Sequence, residues 1–268
     1  MNRFSIKSCA EVLEESFSNN FSADSQLSFF FKKNKNIGKS ERSLIADTYY
    51  NVIRNKRYLE ALGSTSNPFK LILIYLIKLQ GRSIRDLLPM ISEENGIWLT
   101  KIKANKLTNI DLSVKLSLPD WFWSKLSTQY NEKIAIKIAN SLLLPAQLCV
   151  RVNALKGKNR QEVITELKES FPEGQDQIFE TKISPIGIIL PRGSFIQKHP
   201  LYLEGNVEIQ DEGSQLLSYL ADAKRGQMVA DFCAGAGGKT LAMASMMKNT
   251  GRIYSFDISG KRPVSYTH

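Results

Sequence analysis

Cysteine and histidine are scarce in this sequence, and long apolar runs are missing. The three cysteines, Cys9, Cys149 and Cys233, are too few and too scattered for a disulfide framework or a zinc site, so a reducing compartment without a bound metal is expected. Neither His199 nor His268 has a recognisable catalytic context. The most apolar run, Leu71 to Ile77, is closed by Lys70 and Lys78. It falls far short of the roughly 20 residues a membrane span needs, so a buried helix is expected and no membrane partner. At the N-terminus, Arg3 and Lys7 are followed by Glu11, Glu14 and Glu15 at helical spacing instead of an apolar core, so no signal peptide is evident. Internal repeats and low-complexity tracts are also lacking. These absences leave a globular, cytoplasmic protein as the expectation.

What is present is positive charge, unevenly placed. The net charge is +10; of 36 Lys and Arg residues 29 precede residue 201, against 19 of 26 Asp and Glu. The remainder of the chain is balanced. A basic front joined to a neutral end suggests a polyanionic partner such as nucleic acid, although lysine-rich surfaces also serve solubility alone.

Helical periodicity dominates the first part of the chain. Ile6, Cys9, Leu13 and Phe17 form one stripe. Phe29, Phe30 and Phe31 stand beside Lys32, Lys33 and Lys35; they could stack on bases, but a hydrophobic helix end followed by a solvated loop explains them better. Ser40 is expected to cap a long helix through Leu62 that Gly63 stops, and Pro68 to open another through Leu79. Trp121 and Trp123 are expected to anchor their segment to a neighbouring domain. After Pro145 the pattern changes to strands around 147–153, 178–182 and 187–190 with a helix at 159–170, marking a boundary. Arg151, Lys156, Lys158 and Arg160 there could grip a phosphate backbone or be ordinary solvated charge. Asp211 is placed to cap a helix reaching Ala221.

The last quarter, Val229 to Ser259, carries the chemistry. A short strand ends at Phe232, a helix runs through Leu241 to Met247, and a second strand, Arg252 to Phe256, ends on Asp257. Gly235, Gly237 and Gly238 fill the loop between the first strand and the helix. In a doubly wound sheet, such a loop and an acid at the tip of the next strand share one edge, where backbone N–H groups suit an anion and the acid suits a ribose diol. That combination reads as a nucleoside-cofactor site. A triphosphate P-loop would need a glycine where Cys233 stands, and a dinucleotide fingerprint would need one at Thr240. A loop for S-adenosylmethionine tolerates both.

The motif DFCAGAGGKTLAMA resembles the first motif of the RNA 5-methylcytosine methyltransferases, the group with the bacterial Sun-type (Fmu-type) ribosomal RNA enzymes. Elsewhere, SLIADTYYNVIRNKRYLEALG resembles their NusB-like helical domain, LPDWFWSKL and LCVRVNALK their linker and small RNA-binding subdomain, and EIQDEGSQLL the helix entering their catalytic domain. Ala236 stands where the family's loop commonly has proline. The resemblance implies an α+β multidomain protein: an all-α NusB-like domain with linker over 1–144, a small α/β RNA-binding subdomain over 145–205, and the start of a Rossmann-like methyltransferase domain over 206–268. It implies that Cys233, Ala234, Gly235, Ala236, Gly237, Gly238 and Lys239 wrap S-adenosylmethionine, that Asp257 binds its ribose, and that the substrate is RNA, 16S ribosomal RNA in particular.

The family's reaction uses a cysteine thiolate on cytosine and a second cysteine for product release. Their Pro-Cys and Thr-Cys motifs would follow the second strand, so no catalytic residue is expected within this chain and the fragment is expected to be inactive. Cys233 takes a cofactor-loop position and is read as packing. The segment Pro263 to His268 breaks the helix expected after Arg262 and looks like foreign sequence on a truncated gene, with a divergent natural end as the alternative. Two strands alone should leave an apolar edge exposed and that part poorly stable. Two other functions remain open: a non-catalytic RNA-binding or assembly protein, and a P-loop phosphohydrolase with Lys239 on phosphate.

Overall fold

The structure is a computed structural model that describes residues 1–104 and 110–258. The segment Pro263 to His268, read above as foreign, lies outside the described residues. The chain forms two compact units, Met1–Pro145 and Ala146–His268.

The first unit is helical. Helices α1 (Arg3–Ser18), α2 (Ala23–Lys33), α3 (Lys39–Arg54), α4 (Lys56–Gly63) and α5 (Pro68–Ile74) are followed by α6 (Ile84–Leu87), α7 (Glu93–Ala104), α8 (Leu112–Lys115), α9 (Asp120–Gln129) and α10 (Glu132–Leu143). Side-chain oxygens start several of them: Asn2 accepts from Ser5 N–H, Ser22 from Ser25 N–H, Asn67 from Lys70 N–H and Asn131 from Ile134 N–H. Each such cap stabilises its helix by about 1 kcal/mol. The core joins Ile6, Cys9 and Leu13 of α1 to Ile45, Tyr49 and Val52 of α3 and to the run Leu71 to Leu76, all but Tyr75 fully buried.

Three details differ from the sequence expectations. Gly38, not Ser40, occupies the cap of α3 and offers no side-chain oxygen; instead Arg42 Nε donates to Ile37 O at 2.8 Å and pins the preceding loop. The expected single helix from Ser40 to Leu62 is two, divided at Asn55, whose side-chain amide donates to Asn51 O at 2.8 Å. Gly63 is the last residue of α4, and the left-handed stop is Ser64. Gly63 is small for another reason: an added Cβ would lie 2.4 Å from Ile74 Cδ1. The helix opened by Pro68 continues past Ile74 as a π-turn, Tyr75–Leu79.

Trp123 packs into a local cluster with Leu116, Leu118, Leu126, Ala135 and Ala139, while Trp121 is exposed. The two tryptophans were expected to anchor this segment to a neighbouring domain; instead Trp123 packs within its own unit and Trp121 is exposed.

The second unit begins with an antiparallel sheet in the order β2-β3-β1-β4, made from β1 (Leu148–Val152), β2 (Phe179–Glu180), β3 (Gly187–Leu190) and β4 (Val207–Ile209). Helix α11 (Arg160–Ser170), opened by a capping box between Asn159 and Glu162, lays Val163, Ile164 and Leu167 on Val150, Val152, Ile188 and Leu190. The short helix α12 (Pro200–Leu203) leads into β4, which pairs with β1, so this sheet extends past residue 205. Helix α13 (Glu212–Ala221) starts with Asp211 accepting from Gly213 N–H and packs on β1. Two parallel strands, β5 (Met228–Asp231) and β6 (Arg252–Ser255), flank helix α14 (Gly238–Met246), whose Met243 packs with Ala223 and Met247. Among the described residues no helix is long and apolar enough to cross a membrane, and no group of three or more His, Cys, Asp or Glu could hold a metal ion.

Candidate cofactor loop

The site is built on the parallel pair. Register Asp231↔Ser255 brings both strand ends level, and pairing continues beyond them: Phe256 N–H donates to Asp231 O at 2.8 Å, and Ala234 N–H to Phe256 O at 2.9 Å. The chain must then turn sharply into α14. Gly235 and Gly237 do this at φ +55° and +82°, in the left-handed region where a Cβ is strained, with Gly237 N–H closing a turn onto Ala234 O at 2.7 Å.

Helix α14 starts from Gly237, whose carbonyl accepts from Leu241 N–H at 2.8 Å. The N–H groups of Gly238, Lys239 and Thr240 precede that first bond and converge at the helix start, where the helix dipole favours negative charge. Asp257 comes to the same place from the end of β6, with Oδ2 accepting from Gly235 N–H at 2.9 Å. The two features that are 22 residues apart in sequence are thus in direct contact. Of the residues named from sequence, Gly235, Gly237, Gly238, Lys239 and Asp257 line this turn. Ala234 is buried beneath it, while Cys233 and Ala236 are exposed.

Two residues at this turn were not named from sequence. Asp231 Oδ2 accepts from Thr240 Oγ1 at 2.7 Å and Oδ1 from Cys233 N–H at 3.3 Å, so one carboxylate ties the loop's entrance to the first turn of α14. A strand-end acid paired with the threonine of GGKT was the available signal. The second is Gln210, whose side chain lies against Gly238, with Nε2 3.7 Å from where a Cβ would stand.

The bases considered for phosphate contact in this unit are mostly engaged. Arg151 is 1% exposed inside the sheet and paired with Glu208, which corrects its placement on a phosphate-gripping surface. Burial lowers the Arg151 pKa and raises that of Glu208, and the charge of each partner opposes its neighbour's shift. Lys158 pairs with Glu166 at 2.5 Å and Arg160 with Glu180 at 2.6 Å. In the helical unit, Arg57 makes a fork to Asp120 at 2.7 and 2.8 Å, and Lys56 stands 4.3 Å above the Phe17 ring. Several bases of the front therefore hold the fold.

The three cysteines differ in burial. Cys9 and Cys149 are buried; burial pushes the Cys9 thiol far up and the Cys149 thiol to about 11, which opposes thiolate formation at both. Cys233 is exposed.

No family model matches the chain. It is 30% identical over 147 residues to the probable ribosomal RNA small subunit methyltransferase B of Bacillus subtilis, a match covering 55% of this chain and 32% of that protein. It is 29% identical over 127 residues to a 28S rRNA (cytosine-C(5))-methyltransferase of Mus musculus, covering 42% and 27% of the two chains. The matched stretch thus spans about a third of these relatives, 32% and 27% of their lengths. In structure the chain is similar to PH0851, with TM-score 0.69 and 20% identity over 98% of this chain and 65% of that one, a likeness of fold. By sequence, the chain carrying this glycine turn and its facing aspartate is similar both to proteins named ribosomal RNA small subunit methyltransferase B and to proteins named rRNA (cytosine-C(5))-methyltransferase.

Proposed function

We propose that the chain is part of an S-adenosylmethionine-dependent RNA cytosine-5 methyltransferase acting on ribosomal RNA, 16S RNA in particular. The observation that carries this reading is the Asp257 carboxylate set against the N–H of Gly235, at the start of a helix reached through a glycine turn from the parallel neighbouring strand. A carboxylate there suits ribose hydroxyls, and the N–H groups of Gly238 and Lys239 suit the methionyl carboxylate. Cys233, Ala234 and Ala236 complete the loop wall. The helical unit is read as the NusB-like RNA-binding domain, residues 145–205 as a further RNA-binding subdomain and residues 206–268 as part of the methyltransferase domain, in a cytoplasmic protein. The names of the relatives support the substrate class.

The reaction needs a thiolate on carbon 6 of cytosine so that carbon 5 becomes nucleophilic enough to accept the methyl group. Because Cys9 and Cys149 are buried and Cys233 belongs to the cofactor loop, the proposal assigns the nucleophile to sequence outside these 268 residues, and the chain alone should not transfer methyl groups.

Calorimetric titration tests the cofactor. The chain should bind S-adenosylmethionine and not magnesium-ATP, and Asp257→Ala should weaken binding about tenfold or more. Saturable binding of magnesium-ATP alone would replace this reading with a phosphate-binding one.

A further inference from the structure

The side-chain amide of Gln210 is the least satisfied polar group near the loop. Gln210 is 6% exposed, and among the described residues both Nε2 and Oε1 are buried with no hydrogen-bond partner. Its main chain, by contrast, is held on both sides: its N–H donates to Cys149 O at 3.1 Å, and its carbonyl accepts from Gln215 Nε2 at 2.9 Å. A residue so firmly placed, with a donor and an acceptor left over, is costly to the fold unless those groups are used in another state. The amide lies against Gly238, with Nε2, Cδ and Cγ 3.7, 3.9 and 4.0 Å from the position of an added Cβ. Gly238 is the first residue of α14, where the unpaired N–H groups converge. An unpartnered buried amide and an anion-attracting helix start therefore meet at one residue.

We propose that Gln210 is a positioning residue of the cofactor loop: when an anionic ligand is held at the start of α14, the Gln210 amide hydrogen-bonds the backbone around Gly238 and fixes the direction of the Gly238 and Lys239 N–H groups. It acts through the loop, because the amide itself is closed off from solvent. The inference rests on the cofactor reading above, since it takes S-adenosylmethionine as the ligand whose methionyl carboxylate is held there.

The test separates binding from folding. Gln210→Met keeps the length of the side chain and removes both unpaired atoms. In the ligand-free chain it should melt at the wild-type temperature or above it, because an unsatisfied buried group has been removed. Titrated with S-adenosylmethionine, it should bind about tenfold more weakly than the wild type. Gln210→Glu, which keeps the shape and cannot donate when ionised, should weaken binding in the same direction and covers the case in which the methionine variant misfolds. Affinity within twofold of wild type in either folded variant would overturn the inference, as would a fall in ligand-free melting temperature that accounts for the lost binding. Should the wild type itself fail to bind, the cofactor reading falls and takes the inference with it; wild-type binding with an unaffected variant removes the inference alone.

Discussion

In the helical unit the apolar run Leu71 to Leu76 lies inside, and Leu71, Ile72, Leu73 and Ile74 are fully buried; in the glycine-loop segment Met228, Phe232 and Phe256 are 77%, 75% and 49% exposed. Both stretches are apolar in sequence. The difference is one of available neighbours. A helix needs cover on one stripe, and α1, α3, α4 and α7 surround α5. A strand of a parallel sheet needs cover on both faces and pairing on both edges, whereas β5 and β6 pair with each other and rest on the small cluster of Ala223, Met243 and Met247. The stacked rings of Phe232 and Phe256, 5.2 Å apart, shield each other without being enclosed. Apolar composition thus predicts the demand for burial, and topology decides whether it is met.

The sharpest way to break this comparison is native-state hydrogen exchange. Backbone amides of α1, α3 and α5 should be protected at least about 100-fold more than those of β5 and β6, because the pair can open without disturbing a large core. Equal protection would show that the glycine-loop segment unfolds with a full domain. Core truncation gives the next largest effect. Leu73→Ala should cost the helical unit about 2–5 kcal/mol in denaturant unfolding, whereas Phe232→Ala should cost about 1 kcal/mol or less. A large loss at Phe232 would mean that its ring is enclosed in solution.

A smaller effect sharpens the second unit from within. Glu212 Oε1 accepts from Ser184 N–H at 2.9 Å and Ile183 N–H at 2.7 Å, and these bonds hold its carboxyl below the usual carboxylate range. A carboxyl with a depressed folded pKa contributes stability that is fully present above its unfolded pKa and is lost as pH falls through the folded one. Stability of the second unit should therefore decline on acidification below about pH 4, and Glu212→Gln should flatten that decline at a cost of about 1 kcal/mol at neutral pH. Urea titrations between pH 3 and pH 7 check both expectations, and an unchanged pH profile in the variant would remove Glu212 as a source.

The elements of the second unit were legible because each is written locally. Cys149 to Val152 alternates between two buried faces, Asp211 is followed by an apolar helical stripe, and the glycines sit between a strand and a helix. Where expectation and structure part, the deciding contact is a particular side-chain pairing that no sequence pattern announces, close by for Ser40 and far along the chain for Arg151. Ser40 lost the cap of α3 although its residue type was right, because Arg42 fastens the loop from within the helix. Arg151 read as surface charge because nothing nearby in sequence announces Glu208, its partner 57 residues away.

By itself the sequence determined the helical front, the strand-loop-helix-strand order and the residue types of the turn, since these follow from periodicity, caps and backbone freedom. Only the tertiary structure decided that Asp257 meets Gly235, that Asp231 ties the loop to Thr240, that most of the bases considered are already engaged, and that the Gln210 amide is left unpaired beneath Gly238. Those are pairings beyond the reach of turn and helix patterns, set by strand register and burial, and no local pattern encodes which groups will find a partner and which will not.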